Sequence, residues 1–155
     1  MTALLQIKNL TVTFLTAPGM VRAADDVTFD LEEGETLALV GETGSGKSVV
    51  AHAILNLLPE NALATGTVWY RNRNLLEMKE KDLSKIRGRE ISLIIQNPAL
   101  ALNPVYSVGH QMVESLRLHR GMKKSEAARR ARDLLQKLRF KGPEIAMRMY
   151  PFQMS

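Results

Sequence analysis

The chain of 155 residues contains no cysteine. That excludes disulfide staples and thiolate-held zinc or iron–sulfur centres within it, and makes a reducing compartment the expected one. Aromatic residues contribute only 5%, with a single Trp, too few for a platform on which bases could stack. No apolar run approaches the roughly 20 residues that a bilayer crossing needs. Met1 to Lys8 has neither the basic leader nor the apolar core of a signal peptide. The three histidines, His52, His110 and His119, show no metal-ligand spacing and read as structural or surface residues. What is present, 45% hydrophobic and 24% charged residues, is the composition of a soluble globular domain long enough to bury a core.

The net charge is +5, which raises the question of a nucleic-acid partner. The basic residues concentrate after position 117, however, and Arg129, Arg130 and Arg132 fall inside a helical pattern. With few aromatics beside them they read as a solvated helix face, and no nucleic acid is expected as a partner.

The most informative stretch is Gly41-Glu42-Thr43-Gly44-Ser45-Gly46-Lys47-Ser48. It fits the pattern Gly-x4-Gly-Lys-Ser/Thr, whose chemistry is that of a phosphate cradle. Glycines let consecutive backbone N–H groups turn inward as a nest, and the following helix start adds unpaired N–H groups and the positive end of its dipole. Lys47 would reach the β- and γ-phosphates, and Ser48 would ligate a bridging Mg²⁺. The flanks agree. Leu37-Ala38-Leu39-Val40 is an unbroken apolar run that predicts a strand buried on both faces. Val50, Ala53, Ile54 and Leu57 recur at helical spacing up to Pro59.

Around this centre, Leu10, Val12 and Phe14 alternate with threonines and predict a half-buried strand, with a turn at Thr16 to Gly19. Val27 to Leu31 predicts a second strand, followed by a turn over Glu32 to Glu35. Gly66 to Tyr70 is β-rich, Arg71 to Asn74 reads as a polar turn, and Lys79 to Arg87 as a short helix with Leu83 and Ile86 apolar. Ile91 to Ile95 predicts another buried strand, stopping at Gln96. Beyond the prolines at 98 and 104 only helical periodicity remains. One helix is expected over Val108 to His119, with Val113, Leu116 and Met112 inward. A second runs from Ala127 to Leu138, with Ser125 as N-cap, and ends at Lys141-Gly142-Pro143. A boundary near Gln96 is expected, with a mixed sheet-and-helix part at 1–96 and a helical part at 97–155.

Three stretches then carry a resemblance. Gln96 at the end of Ile91 to Ile95 resembles the Q-loop opening of the ATP-binding subunits of ABC transporters. Asn97-Pro98-Ala99-Leu100-Ala101-Leu102-Asn103-Pro104 is similar to the Q-loop of the dipeptide, oligopeptide and nickel importer branch. Tyr150-Pro151-Phe152-Gln153-Met154-Ser155 resembles the lead-in to that branch's signature motif. The resemblance runs from Leu5 to the last residue.

It implies an α/β fold: a P-loop NTPase (RecA-like) core with N-terminal antiparallel β strands, plus part of an ABC α-helical subdomain, incomplete at the C-terminus. It implies ATP and Mg²⁺ as cofactors, and Gln96 as the residue reaching the metal and the attacking water. Phe14 would stack on adenine, although it shares a strand face with Leu10 and Val12 and could equally be core. Ser155 would face the γ-phosphate held by a second ATP-binding subunit. Transmembrane permease subunits are the implied partners, with a substrate-binding protein involved indirectly, at the cytoplasmic face of a bacterial or archaeal membrane.

Asn97 stands where the branch usually has an acidic residue, and Ile95 where it often has an aromatic. No run of four apolar residues ending in an acidic one follows Ser48, so the family's catalytic carboxylate is not in this stretch. The chain is therefore expected to be the N-terminal portion of a longer ATPase, and not to hydrolyse ATP alone. Two other readings remain open: an ATPase subunit of a soluble enzyme complex of the carbon–phosphorus lyase type, and a DNA-maintenance ATPase of the wider superfamily. A small-molecule P-loop kinase would need neither the glutamine strand end nor the signature lead-in.

Overall fold

The computed structural model describes residues 3–97 and 101–154. These fall into two compact units, Met1–Arg87 and Gly88–Ser155, each taken here by itself.

In the first unit, β1 (Leu5–Thr16) and β2 (Gly19–Leu31) form a long antiparallel hairpin. The expected turn at Thr16 to Gly19 closes it, with the Thr16 hydroxyl donating to the Gly19 carbonyl at 2.6 Å. Both strands extend further than the alternation alone suggested, because their register changes midway. Leu5 and Ile7 point into the core on odd positions, whereas Leu10 and Val12 do so on even ones. An extra residue in a strand is what moves a side-chain set from one parity to the other.

That residue is Asn9, at φ 50°, matched across the pair by Asp26, also at φ 50°. Side chains hold the irregularity in place. Asn9 Nδ2 donates to Asp26 Oδ1 at 2.7 Å, the Asn9 N–H donates to Thr28 Oγ1 at 2.9 Å, and the Asp26 N–H donates to Thr11 Oγ1 at 3.0 Å.

After α1 (Lys47–Ile54), β3 (Ala62–Tyr70) pairs with the other edge of β1. It meets the bulge at Gly66, whose φ is +94° and where a Cβ would sit 2.4 Å from the Asn9 carbonyl oxygen. Only glycine fits that position without moving the backbone. Arg71 and Asn72, at φ 46° and 62°, make a two-residue turn into β4 (Arg73–Asn74). The antiparallel sheet has the order β2-β1-β3-β4.

Asn74 is buried because its side chain is used: Oδ1 accepts from the Val68 N–H at 3.2 Å and from the Leu76 N–H at 3.4 Å. A 3₁₀ turn (Leu75–Glu77) then leads to α2 (Glu80–Ile86), whose Leu83 and Ile86 are buried as their spacing predicts. The core is Ile7, Leu10, Val12, Val68, Leu75, Leu83 and Ile86, with Val50 and Ala53 from α1. Arg87 ties the two helices together. Its Nε donates to the Leu55 carbonyl at 2.8 Å, Nη2 donates to the Asn56 carbonyl at 2.9 Å, and Nη1 pairs with Glu80. The C-cap carbonyl of α1 and the one after it thus bond a cation, at the helix end where a cation is favoured.

Two expected strands do not form. Leu37 to Val40 belongs to no strand and is exposed, Val40 at 89%. Ile91 to Ile95 likewise forms no ladder beyond a single bridge residue at Ile91, and Ile94 is 93% exposed. Apolarity marks a segment for burial, but a strand exists only where neighbours accept its hydrogen bonds. The four-stranded sheet of the described residues offers neither segment such a neighbour.

The second unit is helical where it is regular. α3 (Val108–Arg120) is capped by Ser107, whose Oγ accepts from the His110 N–H at 3.2 Å, and ends at Gly121. Met112, Val113 and Leu116 are half-buried, and Val108 and Gly109 are the most enclosed. α4 (Lys124–Lys137) buries Ala127, Ala131 and Leu135, a four-residue spacing that keeps one face inward. It begins earlier than expected: Ser125 is inside the helix, and the cap position is Lys123, without a side-chain bond. Local sequence favoured the serine as cap, but Lys123 takes the extended conformation and the helix starts behind it. Lys141-Gly142-Pro143, read as the end of this helix, also starts α5 (Pro143–Arg148), with proline in its first turn.

Replacing Gly66 by Ala should destabilise the first unit by about 2 kcal/mol or more, since it adds a disallowed φ to a backbone collision. A urea midpoint unchanged from that of the wild type would show that the bulge does not constrain the sheet.

Candidate functional site

Gly41 to Ser45 forms an exposed loop that passes through half-buried Gly46 into α1. Gly46 occupies the N-cap position in the left-handed conformation and supplies no side-chain cap. The first N–H groups of α1, at Lys47, Ser48 and Val49, therefore have no acceptor within the helix, and its first turn holds no acidic residue. This is the electrostatic arrangement that a phosphate complements.

Lys47 stabilises the loop from inside. Its ammonium donates to the Gly41 carbonyl at 2.8 Å, the Glu42 carbonyl at 2.6 Å and Ser45 Oγ at 3.1 Å, one oxygen for each of its three protons. The Ser45 N–H closes the turn on the Glu42 carbonyl at 3.2 Å. Thr43 and Gly44 form its exposed tip. Ser48, in the first turn of α1, is exposed, while its carbonyl is bonded to His52 Nδ1 at 2.6 Å. Among the described residues no group of three carboxylate, imidazole or thiol side chains could hold a metal. A metal here would accordingly be held by the Ser48 hydroxyl together with ligands brought by the phosphates and water, the usual habit of Mg²⁺.

The loop has a wall. A cavity of ≈ 410 Å³ lies between Gly44 to Lys47 on one side and Arg22 to Asp25 of β2 on the other. The two sides meet at Gly46, where a Cβ would stand 2.0 Å from the Ala23 carbonyl oxygen. This wall was not foreseen from the sequence. Nothing in Arg22-Ala23-Ala24-Asp25 is a motif, and only the folding of the hairpin brings it to the loop.

The other expected site residues are placed as follows. Phe14 is half-buried in β1, opposite Val21 and Ala62 in the sheet, and does not line the cavity. Gln96 is an exposed bend residue of the second unit, and Asn97 is exposed beside it. Ser155 lies outside the described residues, as do Pro98, Ala99 and Leu100 of the Q-loop-like stretch. Arg129 and Arg130 are exposed on α4, and Arg132 is paired with Glu144 of α5 at 3.4 Å.

Residues 24–155 match the family model described as ABC transporter. The chain belongs to the ABC transporter family. It is 44% identical over 153 residues to the dipeptide transport ATP-binding protein DppD of Lactococcus lactis, covering 97% of this chain and 44% of that protein. It is 42% identical over 153 residues to the oligopeptide transport ATP-binding protein OppD of Escherichia coli, covering 99% of this chain and 45% of that protein. The oligopeptide transport ATP-binding protein AppD of Bacillus subtilis is 40% identical over 157 residues, with 48% of its length covered. This ABC-family chain thus spans a little under half the length of the curated relatives it matches.

Among solved structures, it superposes on the dimeric bacterial ABC transporter cassette MJ0796 with a TM-score of 0.83 at 27% identity, covering 97% of this chain and 63% of that one. A post-hydrolysis dimer of the same cassette, bound to ADP and Pi, gives a TM-score of 0.80 at 25% identity, with the same coverage. The family expected from the residues around Gln96 and from the Leu-Asn-Pro stretch is therefore the family found. The α/β fold class agrees with these cassettes, although the two strands noted above are not formed.

Gly46→Ala places a methyl group against the Ala23 carbonyl and should abolish binding of inorganic tripolyphosphate. Glu60→Ala, at an exposed position away from the loop and the cavity, should leave it within about threefold, since surface changes away from such contacts cost little. Calorimetric titration distinguishes the two, and equal affinities would remove the β2 wall from the site.

Proposed function

We propose that this chain is the nucleotide-binding part of an ATPase subunit that drives import of di- or oligopeptides across the cytoplasmic membrane. The observation that carries the reading is the loop itself: a lysine-braced glycine turn, opening onto unsatisfied helix N–H groups, beside a cavity of phosphate-accommodating size. The relatives' names point to peptides, and favour them over nickel.

In this reading Gly41, Glu42, Thr43, Gly44, Ser45 and Gly46 wrap the phosphate tail with backbone N–H groups. Lys47 would neutralise the β- and γ-phosphates, and Ser48 would hold Mg²⁺. When bound, Mg²⁺ would offset charge on the phosphates and orient them. By the family resemblance, Gln96 would serve that metal and the attacking water, Phe14 would contact adenine, and Ser155 would address the nucleotide of a second ATP-binding subunit. Residues 1–96 act as the N-terminal part of the nucleotide-binding core, and 97–155 as the Q-loop and helical subdomain that meets the permease subunits. No described helix is long and apolar enough to cross a membrane. A soluble enzyme complex or a DNA-maintenance role finds no favouring observation in the structure.

Two measurements test the reading. ATP titrated into the labelled chain should shift the amide signals of 41–48, and Lys47→Ala should weaken binding by tenfold or more, as expected on losing a charged contact to phosphate. Unmoved signals in a folded sample would refute nucleotide binding. In cells, Lys47→Ala or Gln96→Ala in the chromosomal gene should stop uptake of a labelled dipeptide. Continued uptake would mean that this subunit does not power peptide import.

A further inference from the structure

The cavity beside the loop contains a second cation that the glycine-loop pattern does not name. Arg22 of β2 lines it together with Gly44, Ser45, Gly46 and Lys47, and among the described residues Arg22 and Lys47 are its only cationic lining side chains. Lys47 already gives its three protons to oxygens of its own loop. A triphosphate tail entering the cavity brings three to four negative charges, more than one ammonium already bonded to the loop offsets.

Arg22 is held at the cavity by Asp25, another lining residue. Its Nη1 donates to both Asp25 carboxylate oxygens, at 3.2 Å each, and Thr11 Oγ1 donates to the same carboxylate at 3.5 Å. The guanidinium carries further N–H donors on Nη2 and Nε in a planar fork suited to phosphate oxygens. Both partners are largely exposed, with side-chain accessibilities of 67% and 59%. An exposed ion pair of this kind contributes little and exchanges readily, so its guanidinium is available to a competing anion.

We propose that Arg22 is a second phosphate-binding cation of this site, stationed at the cavity by Asp25 and transferred to the polyphosphate tail when nucleotide enters. The inference rests on the nucleotide-binding reading above and adds to it a residue outside the glycine loop.

The test uses the purified chain and three probes: inorganic tripolyphosphate, ADP and adenosine, each titrated at low and high salt. Arg22→Gln should weaken tripolyphosphate and ADP about tenfold and flatten their salt dependence, while adenosine is unaffected. Arg22→Lys should restore part of the loss, because charge is kept and the fork is not. If wild type binds tripolyphosphate and Arg22→Gln binds it equally well, the proposal is wrong and the glycine loop suffices. If Arg22→Gln loses adenosine as strongly as ADP, the arginine serves the base and the proposal is again wrong. If wild type binds neither tripolyphosphate nor ADP, the nucleotide reading itself fails, and this inference falls with it.

Discussion

The site depends on one close approach, between the backbone of β2 at Ala23 and the glycine that starts α1. With a Cβ at Gly46 only 2.0 Å from the Ala23 carbonyl oxygen, any side chain there would separate sheet and loop. Without that contact the loop would be a turn in solvent. With it, the loop becomes one side of a cavity whose other side is a strand. α1 is fastened at its far end as well, where Arg87 bonds the carbonyls of Leu55 and Asn56. A helix held at both ends keeps its N–H groups aimed before any ligand arrives, which would lower the ordering cost of binding an anion there.

The bulge in the hairpin is what lets β2 serve as that wall. The paired irregularity at Asn9 and Asp26 shifts the inward-facing set, so that Val12 and Ala24 are opposed and buried while Arg22 and Asp25 stay exposed. A straight hairpin would keep one parity throughout, and the charged pair would not reach the cavity in the same register. Gly66 in β3 then accommodates the displaced Asn9 carbonyl. Three local oddities, an asparagine and an aspartate at positive φ and a glycine inside a strand, are parts of one device.

Legibility followed the range of the forces involved. The glycine loop was readable because its chemistry is contiguous: turn, lysine and helix start lie within eight residues. Leu83 and Ile86 in α2, and the presence of a helix at α4, were readable because helical hydrogen bonds are local and helical periodicity repeats. The misreading at Ser125 has the same scale, since several neighbouring residues can open a helix and the difference between them is small. Leu37 to Val40 and Ile91 to Ile95 failed for a different reason. Their apolarity suggests burial in a sheet, yet Val40 and Ile94 are exposed, because a ladder is a property of two segments. No pattern within one of them supplies the other.

By itself, then, the sequence determined the glycine loop with the helix that follows it, the helices α2 to α4 and the membership of the ABC family, but not α5. All of these are written in short-range spacing or in residue identity. Tertiary structure alone decided that Ala23 and Arg22 would face the loop, that Phe14 would not line the cavity, and which apolar runs would be strands. These outcomes turn on hydrogen bonds and contacts between residues tens of positions apart. Their energies depend on which surfaces meet, and a linear string does not state that.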